Sequence, residues 1–177
     1  MFKQYLQAGL LTILLIGLCV LSNYYFTRID LTNDQKYSVT STTKEFIQKL
    51  DDIIYLKVYL HGDLPVEYQR LEDATRHMLQ ELRLSSKYIQ YEFIDIYTTK
   101  NEEYIQQIGL DLQKKGIYKV VKKSNDSGKE ITYDIFPGII ATYKNKEQPI
   151  LLLKENNIEK SIIELEYSLM NTIINLT

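Results

Sequence analysis

The stretch "IIYLKVYLHGDLP", Ile53–Pro65, decides how this chain is read. Its first part, Ile53 to Leu60, is an almost unbroken apolar run rich in β-branched and aromatic residues. That is the pattern of a strand buried in the middle of a sheet. "HGDLP" breaks the run, with glycine, aspartate and proline supplying turn chemistry. Beyond it Tyr68, Leu71, Thr75, Met78 and Leu82 recur at helical spacing to about Leu84. A buried strand, a tight corner and an amphipathic helix open an α/β unit.

Outward in both directions the pattern continues. "YIQYEFIDIY" (Tyr88–Tyr97) alternates as a strand does, with Ile89, Tyr91, Phe93 and Asp95 on one side. "NEEYIQQIG" predicts a short helix that Gly109 terminates. "IYKVVKK" and "EITYDIF", joined by "SNDSG", form a hairpin signal. "PGIIATY" and "PILLL", joined by "KNKEQ", form a second. The last element is a helix from about Ile158, with Ile158, Ile162, Leu165, Leu169 and Ile173 inward and Asn156 or Asn157 as its cap. Upstream, "YSVTSTTKEFIQKL" holds a helix start. Thr40 can cap it, or Thr42 can form a capping box with Glu45. "RIDLT" or "KYSV" supplies the expected first strand, since the segment lacks the glycine and proline of a flexible tether. Alternating strands and helices imply parallel neighbours, and the late hairpins imply antiparallel pairing. The expected class is α/β: a mixed sheet with helices on both faces and an extra β-hairpin.

From Ala8 to Phe26 there is no charge, and Tyr5, Tyr24 and Tyr25 flank the greasy run. About 20 apolar residues span a bilayer as a helix, with aromatic rings at its ends. We therefore expect an N-terminal transmembrane anchor over 1–27 and a soluble domain over 28–177. No A-x-A site marks cleavage, and Leu18 before Cys19 is not the small residue lipidation needs. Lys3 on one side and Arg28 on the other lean towards the amino terminus inside and the domain outside.

Composition removes several kinds of chemistry. The net charge of -2 carries no nucleic-acid signature. The one cysteine, Cys19, lies in the greasy run, so the soluble part has no disulfide, thiolate metal site or redox pair. There is no GxGxxG, Walker, GxSxG or HExxH pattern. No catalytic, metal or cofactor residue is assigned. His61 and Asp63 form a candidate ligand or partner corner at the carboxyl end of a strand, where open α/β sheets bind ligands. The same residues also read as a solvated turn. His77, four residues from Asp73 and from Glu81, reads as a surface helix face rather than a metal site lacking a third ligand. Lys119, Lys122, Lys123 and Lys129 cluster on the first hairpin. They form a basic patch for an anionic partner, or lysines protecting an edge.

Two resemblances follow. The element order, closed by "FPGIIATYKNKEQPILLL" and a helix, resembles the thioredoxin fold, with Pro137 near where that fold often has a cis proline. The reactive pair would then sit in "LHGDLPVEY", where no cysteine stands. "RIDLT" and "YSVT" after a greasy run, then "LDDIIYLKVYLHGDLP", "TRHMLQELR", "IQYEFID", "FPGIIATYKNKEQPI" and "IELEYSLMNTI", resemble the gliding-motility-associated ABC transporter auxiliary (substrate-binding) component of Bacteroidetes, the GldG-like family. That resemblance implies a subunit anchored in the inner membrane, with its domain in the periplasm and partners in a separate permease and a separate ATPase. Family members are longer, so the chain reads as an N-terminal region. The expected role is an interaction or scaffold module. The alternatives are a solute-binding module and a redox-inactive, peptide-binding relative of thioredoxin.

Overall fold

In a computed structural model that describes residues 39–98, 101–126 and 129–177, the deciding stretch becomes β1 (Ile54–Val58) and the corner after it. β1 is central. A four-stranded sheet runs in the order β2-β1-β5-β6, with β2 at Ile89–Phe93, β5 at Gly138–Tyr143 and β6 at Lys146–Leu151. β1 and β2 are parallel, while β5 is antiparallel to both β1 and β6. β3 (Val120–Asp126) and β4 (Lys129–Ile135) form a separate two-stranded hairpin. The helices are α1 (Ser41–Ile47), α2 (Val66–Ser85), α3 (Glu102–Lys114), α4 (Ile158–Ile163) and α5 (Leu165–Leu176).

Side-chain alternation divides the sheet into two faces. Ile54, Leu56 and Val58 are wholly buried and stand opposite Tyr143, Ala141 and Ile139. They meet Leu71, Met78 and Leu82 of α2 and Leu165, Leu169 and Ile173 of α5 in the main core. Ile140 points the other way, into a second core with Leu112 of α3, Ile117 and Phe136. Helices therefore cover both faces. Fully burying each such aliphatic side chain contributes about 1.5–3 kcal/mol. Tyr59 of the Ile53–Leu60 run packs against the second core, so the run serves both layers.

Several expectations are corrected. Gly109 does not end α3. The helix runs five residues further, and the terminator is Gly116, at φ +93, after Lys115. Gly109 serves packing instead: a Cβ there would lie 3.3 Å from Phe136 Cζ. β2 stops at Phe93 rather than near Tyr97, because the Asp95 carboxylate accepts the Tyr97 N–H (2.9 Å) in a turn. The second hairpin turns on Lys144, at φ +52, and Asn145, so β6 starts earlier than "PILLL". The last helix is two helices, broken at Glu164 (ψ 4°), with Asn157 as the cap of α4. Among the described residues every peptide bond is trans, including that before Pro137.

Thr40 caps α1 through Thr43, and its N–H and hydroxyl both donate to Glu166 of α5. Val39 is already buried in the main core. The expected first strand and the greasy run lie outside the described residues. Among the described residues no helix is long and apolar enough to cross a membrane.

Candidate functional site

The corner after β1 is built by local rules. Leu60 and Leu64 are buried and anchor its two ends. Gly62 adopts φ +108, and any Cβ there would meet the Asp95 carboxyl group at 2.9 Å, so only glycine fits. Pro65 leads into α2, and Gln69 Nε2 donates back to the Leu64 carbonyl (2.7 Å).

His61 and Asp63 serve different surroundings. His61 Nδ1 lies 2.7 Å from Glu72 Oε1, and a carboxylate only accepts, so Nδ1 carries the proton. Glu72 is largely buried and also takes a hydrogen bond from Arg76, four residues on. The Arg76 guanidinium lies 3.8 Å from the centre of the Phe93 ring, and His61 meets the same ring edge-on. His61 is thus one member of a satisfied set joining the corner to α2 and β2. Buried charge is tolerated only in such paired company.

Asp63 instead lines a cleft of about 420 Å³ with Asp95, Tyr97, Thr132, Tyr133 and Asp134. A neighbouring cleft of about 460 Å³ shares Tyr97 and Asp134 and is walled by Gln106, Gly109 and Gln113 of α3 and by Phe136. Together they run between α3, the turn after β2 and the β3–β4 hairpin. Burial, then the negative charges of Asp134 and Asp95, push the Tyr97 hydroxyl up to about 12. Tyr97 is therefore neutral and a hydrogen-bond donor at any physiological pH. Within the second cleft, Gly109 keeps the α3 wall close to Phe136.

The lysines of the proposed patch are matched by carboxylates. Lys119 pairs with Asp134 (2.8 Å), Lys122 with Glu67 (3.6 Å) and Lys123 with Glu130 (2.5 Å). Lys129 opens β4, but its side chain lies outside the described residues. His77 Nδ1 bonds the Asp73 carbonyl of its own helix (2.8 Å). Among the described residues no group of three or more histidine, cysteine or acidic side chains could hold a metal ion.

Sequence reading found Asp63 and missed its cleft partners. Asp95 and Tyr97 looked like strand, and Asp134 looked like one more hairpin residue. The signal was the "DIY" after β2, whose aspartate suits a turn as well as a strand.

Residues 33–142 match a protein family described as a domain of unknown function (DUF7088), and the chain belongs to that family. No curated protein and no solved structure matches.

Proposed function

We propose that this member of the family is a membrane-anchored, extracytoplasmic auxiliary subunit of an ABC-type transport system linked to gliding motility, and that its domain is a thioredoxin-like interaction module without redox chemistry. The sheet order carries the reading. β2-β1-β5-β6, with β1 and β2 parallel and β5 reversed, is the order a thioredoxin-like core requires, and helices flank it on both faces. The corner where that fold keeps its thiols holds His61, Gly62 and Asp63 in place of a cysteine pair. Without a thiolate there is no thiol–disulfide exchange at this corner. What remains is a folded scaffold with a lined cleft beside the corner. The uncharged run from Ala8 to Phe26 supports an anchor, and the charge bias across it leans towards a domain on the periplasmic side. ATP hydrolysis falls to a separate subunit, since the chain has no Walker motif.

A tagged full chain, co-expressed with a candidate permease and ATPase of such a transport system and extracted in mild detergent, tests this. It is expected to co-purify with the permease in fixed ratio. Elution of the chain alone would overturn the proposal. A second reading, a solute-binding module, draws on the cleft of about 460 Å³, a size that suits a small ligand. A small solute that raises the melting temperature of the isolated chain by several degrees would favour it.

A further inference from the structure

We infer that the outer edge of β4 is a docking strand, and that its occupant is an extended, basic peptide segment of a partner protein. The inference rests on reading the domain as an interaction module and names the surface that does the interacting.

The cleft beside Asp63 touches Thr132, Tyr133 and Asp134, three consecutive residues of β4. Consecutive strand residues point to opposite faces, so a cavity that touches all three lies along the strand's edge. Two residues separate the paired Asp126 and Lys129. A two-residue hairpin makes that pair doubly hydrogen-bonded, and the pattern then alternates. Ile131, Tyr133 and Ile135 therefore turn their N–H and C=O groups to β3, while Glu130, Thr132 and Asp134 turn theirs away. The same rule holds in the second hairpin, where Leu152 N–H bonds the Pro137 carbonyl (3.0 Å), on the phase set by the Tyr143–Lys146 pair. Among the described residues β4 has no neighbour but β3.

The two hairpin edges differ. In β6 the same alternation puts Pro149 at an outward position, where it has no N–H to offer. That is a common protection against edge pairing. β4 has no proline, and two of its outward positions, Thr132 and Asp134, line a cleft. Adding a strand to such an edge is a recurrent mode of peptide recognition, with main-chain bonds giving affinity and flanking side chains giving choice. Here the flanking groups select charge. Asp63, Asp95 and Asp134 line the cleft, Glu102 stands at its continuation, and Lys119 is already bound to Asp134. A strand with lysine or arginine on the side facing those carboxylates is complementary, and an acidic one is repelled.

The test uses the full chain in detergent and an eight-residue, end-capped peptide alternating lysine with threonine. Two comparison peptides carry glutamate for lysine, or N-methyl groups at alternate positions to remove backbone donors. The lysine peptide is expected to bind, and the Thr132 and Asp134 amides, which face no other strand among the described residues, to slow in exchange at least about tenfold, while Ile131 and Tyr133 are protected throughout. Asp63→Asn is expected to weaken binding about two- to fivefold without changing the melt, and Asp95→Asn, whose amide oxygen can still accept the Tyr97 N–H, by a similar factor. Equal binding of the glutamate or N-methyl peptide, protection that bypasses Thr132 and Asp134, or no binding overturns the inference. If co-purification with the permease survives that failure, only the docking strand is lost; if co-purification fails while the peptide binds, the transport assignment is lost instead.

Discussion

Replacing Gly109 and Gly116 in turn tests how α3, one wall of the cleft, is built. Gly109 is mid-helix, so alanine there gains helix propensity of about 0.8–1 kcal/mol. Against that gain, the new Cβ would sit 3.3 Å from Phe136 Cζ, in a core where Phe136 is 5% exposed. Forcing a methyl group into a packed core costs about 1–3 kcal/mol, so Gly109→Ala alone is expected to be neutral or destabilising. Phe136→Leu removes Cζ. In that background Gly109→Ala is expected to stabilise by about 0.5–1 kcal/mol, a rise of about 2–4 °C in a domain of this size. Gly116 differs, because its φ of +93 is strained for any side chain, while Pro149 Cγ, 3.6 Å from a new Cβ, leaves room. Gly116→Ala is expected to cost about 1 kcal/mol or more in either background. Urea unfolding of the full chain, followed by circular dichroism, gives both differences. If Gly109→Ala costs more than about 1 kcal/mol in the Phe136→Leu background, α3 ends at Gly109 and this packing is wrong.

Leu56→Asp places a carboxylate at a wholly buried position of the central strand, at a cost of several kcal/mol that is comparable with the stability of the whole domain; a cooperative melt near that of the parent would contradict the core assignment. Thr40→Ala removes the side-chain cap of α1 and the hydroxyl bond to Glu166 while keeping the backbone N–H bond, and should cost about 1–2 kcal/mol by urea titration. Tyr97 is held neutral in the folded chain, so the difference in 295 nm absorbance between the parent and Tyr97→Phe should show a tyrosine titrating at about 12. The raised value favours folding fully below the ordinary tyrosine range near 10, and that contribution is lost as pH climbs from there through about 12. A difference curve centred near 10 would refute the burial of that hydroxyl. An insulin-reduction assay on the full chain should give only background turnover, since no thiol stands at the β1–α2 corner.

The order of elements was legible because the signals were strong and local. Ile54, Leu56 and Val58 stood in a run that had to be buried, and Tyr68 to Leu82 kept a helical period across five positions. The Thr40 and Asn157 caps were equally local. Glycine misled where two physical reasons compete, since termination and close packing both select it, and only the Phe136 ring beside Gly109 separates them. The break at Glu164 carries neither glycine nor proline and left no trace in the sequence. The cleft was the least legible part. Asp63, Asp95 and Asp134 lie on three different segments, and no spacing links residues that topology alone brings together. The lysines of the first hairpin drew notice by their number, yet in the fold Lys119, Lys122 and Lys123 each meet a carboxylate drawn from α2 or β4.

The central claim is that this domain works by holding a protein partner at the cleft beside β4. A photoactivatable phenylalanine analogue placed at Tyr97, in the full chain co-expressed with the candidate permease and ATPase, tests it in the membrane. Tyr97 is partly exposed and borders both clefts, whereas Tyr167, on the outer surface of α5, serves as a comparison position. The account predicts that irradiation joins the Tyr97 variant to the permease and leaves the Tyr167 variant largely unjoined. A chain that remains uncoupled at Tyr97, with the permease present in the same membranes, would contradict it.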